Sequence, residues 1–354
     1  MDKVGLILEG GGMRGIYTAG VLDFFIDKNI EVDLVVGVSA GGCHAASYLS
    51  KQYNRAFRTN IDYLHDKEYL SFRNLIKTGS IFGMDLMFNK IPNELYPYDY
   101  ETFNKSKSKF TVVATNCETG EAEYFQLKDM KKDIMYLQAS CSIPMFANIV
   151  KVDGYKLVDG GVSDSIPIEY ALKQGCNKNI VVLTRDRTYR KSKVKFISAI
   201  KRKYKKYPKL VKSIENRHLN YNKSLDLIKS LEEKEEVFVI PKRRIGKWCA
   251  KGRLSWHRII SRPFAGEKGF GAIGKCKYIE EGAAVGIPPL RLLLRCFLWC
   301  YHAYLLISSS VMPGCSAMLM LLAMMFAKRS TTASTSFGVT NRLPVYGPRI
   351  SAII

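Results

Sequence analysis

The stretch VVGVSAGG, residues 35–42, decides the fold. An apolar run ends there in glycines 37, 41 and 42, placed around a single serine, Ser39. Gly37-Val38-Ser39-Ala40-Gly41 has the spacing Gly-x-Ser-x-Gly, and the reason for that spacing is steric. A serine on a sharp strand-to-helix turn needs small neighbours two residues before and two after, and the turn lifts its hydroxyl above the end of the sheet. The helix expected to start after Ser39, over AGGCHAASYL, directs free backbone N–H groups at any anion that forms there. The five-residue pattern alone arises often by chance. Its position between LVV and AGGCHAASYL makes Ser39 a candidate nucleophile rather than a structural turn, with Gly37 and Gly41 as the elbow glycines.

The flanking sequence supports an α/β class. VGLIL (4–8) reads as a buried strand and LVVGV (34–38) as a second. Between them, Ile16, Ala19, Leu22 and Ile26 fall on one face of a helix. FTVVAT (110–115), IVVLT (180–184) and EVFVI (236–240) fit further strands. Strands alternating with helices imply a mainly parallel sheet covered on both faces. Residues 51–100 are mixed and aromatic, and suit helices and loops laid over the sheet as a substrate wall.

GGGMRG (10–15) lies between the first strand and its helix. Gly10, Gly12 and Gly15 satisfy the dinucleotide spacing Gly-x-Gly-x-x-Gly, with Glu31 or Asp33 as the acidic residue about 20 positions on. A nucleotide-dependent oxidoreductase is therefore an alternative on this motif. A phosphate-binding P-loop is not, because Gly-Lys-Ser/Thr is missing. A nucleotide site has no use for the serine elbow on the next strand. An acyl hydrolase needs both, because backbone N–H groups of Gly10, Gly11 and Gly12 can serve a tetrahedral oxyanion. Arg14 either strengthens the positive field there or holds the loop by its own hydrogen bonds.

A serine hydroxyl needs a base. The five histidines, 44, 65, 218, 257 and 302, lack a supporting motif. His44, five residues past Ser39, is expected to point away from the turn. Asp159 in KLVDGG (156–161) is the better partner. It ends a short apolar run, and the glycines after it permit a sharp turn that aims the carboxylate over the sheet edge.

EGGGMRG (9–15), GVSAG (37–41) and DGG (159–161), in this order, resemble the patatin-like phospholipases. ATNCETGE (114–121), QASCSIPMF (138–146) and VDGGVSDSIPIEYALKQG (158–175) are similar to the bacterial branch of that family. The resemblance covers residues 4–240. It implies a three-layer α/β/α fold and a Ser39–Asp159 dyad that works without histidine. It also implies an oxyanion hole of Gly11 and Gly12 with Arg14 beside it, hydrolysis of lipid acyl esters through an acyl-enzyme, and no cofactor. SIFGMDLMF (80–88) and PMFANIV (144–150) are candidates for an acyl channel, or ordinary core.

Composition divides the chain. Of 54 basic and 32 acidic residues, residues 243–354 hold 16 basic and 3 acidic, no Asp, all three Trp and five of nine Cys. The chain accordingly reads as a catalytic core (4–172), a continuation with a basic helical segment (173–241) and an atypical tail (242–354). Within the tail, 296–327 carries no Lys, Arg, Asp or Glu, long enough to span a hydrocarbon core of about 30 Å, but Ser308–Ser310, Pro313 and Gly314 interrupt it. It fits either a membrane segment or translation in a shifted frame. Residues 185–217 hold 14 Lys or Arg against Asp186 and Glu215, which suits a solvated face or an anionic membrane surface. Nucleic acid is not expected, since no recognition motif accompanies the charge. A catalytically inactive lipid-binding module is the further alternative. The N-terminus does not read as a secretory signal, Cys43, Cys117, Cys141 and Cys176 read as free thiols, and metal-ligand spacing is absent. The expected location is cytoplasmic, with peripheral membrane association.

Overall fold

The computed structural model describes residues 2–242. Residues 243–354 of the tail, with its 296–327 segment, lie outside the described residues. All five strands expected from the sequence form: β1 (Val4–Leu8), β2 (Leu34–Val38), β3 (Lys109–Asn116), β7 (Lys178–Val182) and β8 (Val237–Ile240). Three more complete an eight-stranded sheet: β4 (Ala122–Leu127), β5 (Val150–Val152) and β6 (Tyr155–Asp159). The order is β5-β6-β3-β2-β1-β7-β8, with β4 also on β3. The stretch from β3 to β8 is parallel, as the apolar runs require. The β3–β4, β3–β6 and β5–β6 pairs are antiparallel. The sheet is thus mixed where the sequence reading stressed parallel pairing. The cause is local: β3 and β4 are joined by the tight CETG turn, and β5 and β6 by Asp153-Gly154, both in positive-φ conformation.

Helices cover both faces. α1 (Ile16–Asp27), α2 (Ala40–Leu49), α5 (Tyr100–Asn104) and α6 (Met130–Ser140) lie on one side, where Leu6, Leu8, Val35 and Val112 pack against Leu22, Phe25, Ala45 and Leu137. α7 (Ile168–Lys173) and the 26-residue α9 (Pro208–Glu233) lie on the other. There Ile7, Val36, Val38 and Val181 meet Ile168, Tyr221 and Ile228. Alternate residues of each strand thus face opposite cores, which gives the three layers. α3 (Arg55–Ile61), α4 (Phe72–Thr78) and a π-helical segment (Leu86–Leu95) fill the region 51–100. α8 (Ile197–Lys203) carries part of the basic run, and its Lys201 pairs with Glu215 at 2.9 Å.

Candidate active site

Register brings the two candidate catalytic residues together. β4 occupies one edge of β3 over Phe110–Thr115. β2 and β6 must therefore share the other edge. Val38, the last residue of β2, lies opposite Val113, and Asp159, the last of β6, lies opposite Ala114. β2 runs parallel to β3 and β6 antiparallel, so their C-terminal ends meet one row apart, a spacing of about 3.3 Å along the strand. Ser39 leaves one end and Asp159 the other.

Both chains turn away sharply. Ser39 sits at φ 53°, ψ −125°, a conformation that costs a side-chain-bearing residue about 1–3 kcal/mol and persists only where packing enforces it. The elbow glycines show what enforces it. A Cβ at Gly37 would lie 2.6 Å from Gly42 Cα, and one at Gly41 would lie 2.5 Å from the Leu8 carbonyl oxygen. The helix start is thus pressed against β1 and β2 without room for a methyl group. After Asp159 the chain crosses directly over β3.

The end of α6 and the turn that follows it tether both residues. The Ser39 N–H donates to Ser140 Oγ at 2.8 Å, and the Asp159 N–H donates to the Ser142 carbonyl at 2.9 Å. Thr115 Oγ1 donates to the Asp159 carbonyl at 2.9 Å, and Asp159 Oδ1 accepts the Gly161 N–H at 2.7 Å. Ser39 and Asp159 are both buried, at 7% and 5% exposure. Burial raises the Asp159 pKa above the ordinary carboxylate value. The Arg217 charge, the Ser39 side chain, the Gly161 N–H and the Lys191 charge act against the rise, in that order. A carboxylate so placed is a stronger base than one in water. Cys43 and Cys141 are free thiols with sulfurs 3.5 Å apart beside Ser39, and their contact raises the Cys141 pKa well above normal.

The glycine loop borders the serine. A Cβ at Gly10 would lie 3.3 Å from Ser39 Cβ. The N–H groups of Gly10 and Gly11 make no hydrogen bond among the described residues, as an oxyanion site requires. Gly12 begins a short 3-10 turn, Gly12–Gly15, that carries Arg14. Glu9 anchors the loop from below, accepting from the Thr184 N–H at 2.6 Å and the Tyr221 hydroxyl at 2.8 Å.

Other sequence expectations find different places. His44 is buried against Gly15, and burial lowers its pKa to about 4. The acid that a nucleotide site would need is misplaced. Asp33 accepts the Val4 N–H at 2.7 Å, at the start of β1, and Glu31 pairs with Lys51 on the surface. Asp33 therefore lies a strand's length from the glycine loop, about 16 Å. Among the described residues there is no cluster of metal-binding type. A cavity of about 560 Å³ is lined by Ser80, Met84, Leu86, Asn148 and Ile149 among others, so it borrows from both proposed channel segments. Its lining includes neither Ser39 nor Asp159. Sequence reading missed the Ser140 and Ser142 tethers, although QASCSIPMF was the segment that contains them, and it missed Arg217 and Lys191 altogether.

The chain is similar to known proteins over the residues that carry this site. Residues 6–172 match the model of the patatin-like phospholipases, and residues 207–244 match a domain of unknown function (DUF6363). The chain is 30% identical to the uncharacterized protein YjjU of Escherichia coli over 188 residues, 51% of this chain and 52% of that one. It is 26% identical to a probable lipid hydrolase, 463L, of Invertebrate iridescent virus 6, covering 49% of this chain and 65% of the viral protein. Identity to lysophospholipase nte1 of Aspergillus niger is 27%, over 48% of this chain and 11% of that protein. The chain thus spans between about half and just under two thirds of the first two relatives.

Proposed function

Residues 6–172 belong to the patatin-like phospholipases, and from that premise we propose that the protein is a serine acyl hydrolase that cleaves carboxylic ester bonds of lipids, phospholipids foremost, through a Ser39–Asp159 dyad. The observation that carries the proposal is the meeting of two strand ends on β3, with a strained serine on one and a buried carboxylate on the other. Asp159 takes the Ser39 proton as Oγ attacks the acyl carbonyl. The N–H groups of the Gly10–Gly12 loop receive the oxyanion. The intermediate collapses, the alcohol leaves with the proton from Asp159, and the acyl group stays on Ser39. Water then gives a proton to Asp159 and attacks the acyl-enzyme. Collapse releases the fatty acid and returns the proton to Ser39. No step calls on a cofactor.

The same proposal puts the protein peripherally on a cytoplasmic membrane surface. No helix among the described residues is long and apolar enough to cross a membrane. Lys201, Arg202 and Lys203 of α8 are exposed and suit anionic headgroups. The test is hydrolysis of nitrophenyl butyrate and phospholipid vesicles by the full chain, Ser39→Ala and Asp159→Asn. Loss of about a thousandfold or more in both variants, with the fold intact by circular dichroism, is the expected result. Activity surviving in Ser39→Ala would remove the mechanism. Vesicle sedimentation checks the membrane placement: binding should rise with anionic lipid content.

A further inference from the structure

Two of the four cysteines among the described residues form a pair that the acyl-transfer scheme leaves unused. Cys43 Sγ and Cys141 Sγ lie 3.5 Å apart, and both residues are half-buried. Cys117 and Cys176 differ. Each is fully buried, and burial pushes the Cys117 thiol up to about 12 and raises Cys176 as well. Thiols of that kind pack as small apolar groups and stay inert. For Cys141 the largest cause of the raised pKa is contact with Cys43, and burial comes second. A neighbouring sulfur sets its chemistry.

The fold brings the two sulfurs together at the nucleophile. Cys43 lies in the first turn of α2, and its N–H donates to the Ser39 carbonyl at 3.2 Å. Cys141 caps the C-terminus of α6, next to Ser140, whose Oγ accepts the Ser39 N–H at 2.8 Å. Leu137 and Cys141 are four residues apart and follow one another on one face of α6. That face meets α2 closely: a Cβ at Gly42 would lie 3.0 Å from Leu137 Cδ1. Cys43, Ser39, Ser140 and Cys141 thus make a closed circuit of two hydrogen bonds, a peptide bond and the sulfur contact. The Ser39 side chain also acts on Cys141, as it does on Asp159.

This pair is one two-electron oxidation from a bond. A disulfide holds its sulfurs at about 2.05 Å, so the pair closes by about 1.5 Å. The oxidant is a hydroperoxide, ROOH. The thiolate is the attacking form. Contact with Cys43 keeps the proton on Cys141, so Cys43 attacks. Its sulfur takes the outer oxygen, the O–O bond breaks, and ROH leaves with the proton that Cys43 gave up. Cys43 is then a sulfenic acid. It can no longer be a thiolate, so the largest cause holding the Cys141 proton is gone. The Cys141 sulfur attacks the Cys43 sulfur, the S–O bond breaks, and hydroxide leaves with the Cys141 proton as water. The sum is two thiols and ROOH giving a disulfide, ROH and water. A dithiol reverses it by exchange.

We propose that Cys43 and Cys141 are a hydroperoxide-responsive modification site whose reversible disulfide switches Ser39 off. Contraction of the circuit pulls on the Ser39 backbone from both sides, at its carbonyl through Cys43 and at its N–H through Ser140. The elbow has no room to absorb the pull, since a Cβ at Gly41 would already lie 2.5 Å from the Leu8 carbonyl oxygen. Displacing a reacting group by about 1 Å costs on the order of a hundredfold in rate. Transient bonds of this kind are what thiols form in a reducing compartment. The disulfide stands apart from the acyl hydrolase reading, whereas its effect on turnover rests on that reading.

The experiment treats the full chain, Cys43→Ala and Cys141→Ala with hydrogen peroxide, each first checked for fold by circular dichroism. Nitrophenyl butyrate hydrolysis is read against each protein's own untreated rate, and cysteine linkage by peptide mapping without reduction. The treated full chain should yield a Cys43–Cys141 cross-linked peptide and lose about tenfold or more in rate, with recovery in dithiothreitol. Cys43→Ala, lacking the attacking sulfur, should lose less than about twofold. Cys141→Ala should stop at the sulfenic acid, which dimedone traps on Cys43. A full chain that forms the bond and keeps its rate overturns the switch. Loss of rate without that peptide, or an equal loss in Cys43→Ala, places the sensitivity elsewhere and overturns the site. If the untreated chain hydrolyses neither nitrophenyl butyrate nor phospholipid vesicles, the hydrolase reading fails and takes the switch with it. Mapping then still decides the bond, and absence of the Cys43–Cys141 peptide overturns that too.

Discussion

The turn after β2 and the turn after β6 end at adjacent rows of β3, but they carry their load differently. Ser39 holds its energy in the backbone, at φ 53°. Asp159 has an ordinary φ of −47° and holds its energy in a buried charge. One turn is a conformational problem, solved by glycines that let elements touch. The other is an electrostatic problem, relieved by Arg217, Ser39, the Gly161 N–H and Lys191. A site divided this way should respond differently to packing changes and to proton concentration.

Packing changes should give the largest losses of stability. A Cβ at Gly41 would meet the Leu8 carbonyl oxygen at 2.5 Å, so Gly41→Ala forces α2 away from β1. The expected cost is about 2–4 kcal/mol, read from urea unfolding, together with loss of esterase activity. A cost under about 0.5 kcal/mol would show that the elbow is not under compression.

Proton concentration should separate the two turns next. His44, on the helix that the serine turn starts, has its pKa lowered from 6.5 to about 4 by burial. The native state binds fewer protons than the unfolded state in that window, so stability is lost as pH falls from 6.5 towards 4. The amount is about 3 kcal/mol. Asp159 works in the opposite direction. Its pKa is raised above 3.8, so the native state binds more protons, and its contribution to stability is lost as pH rises through the folded pKa. His44→Gln should flatten the acid side of the stability profile, and an unaltered profile would refute the assignment.

Ser140→Ala removes the acceptor of the Ser39 N–H and leaves that group buried. The expected cost is about 1–3 kcal/mol, with a fall in kcat because the elbow loses its tether. The smallest effect should be a gain. Asp159→Asn, inactive as an esterase, should melt above the parent at neutral pH, because it removes the buried charge. A lower melting temperature would mean that ionised Asp159 stabilises its turn.

The difference between the turns also explains what was readable in the sequence. Gly37, Ser39, Gly41 and Asp159-Gly160-Gly161 are contiguous, and each stretch states its own geometry. The parallel strands announce themselves by apolar runs fully buried on both faces. β4, AEYFQL, is only half-buried along most of its length and its pattern is weaker. The end-to-end meeting of β2 and β6 depends on which edge of β3 each one takes, a choice no local pattern encodes. Ser140, Lys191 and Arg217 reach the site from separate parts of the chain. Their signal in the sequence is only polarity or a run of charge, and that run is shared by lysines of α8 that face solvent.

The central claim is that Asp159 activates Ser39 across the gap between two strand ends. The direct test is the rate of covalent labelling by a fluorophosphonate ester, with the modified residue located by mass spectrometry. The expected result is a single adduct on Ser39, formed about a hundredfold or more slowly in folded Asp159→Asn, with a rate that rises with pH as Asp159 ionises. An adduct on another residue, or an equal rate in Asp159→Asn, would contradict the account.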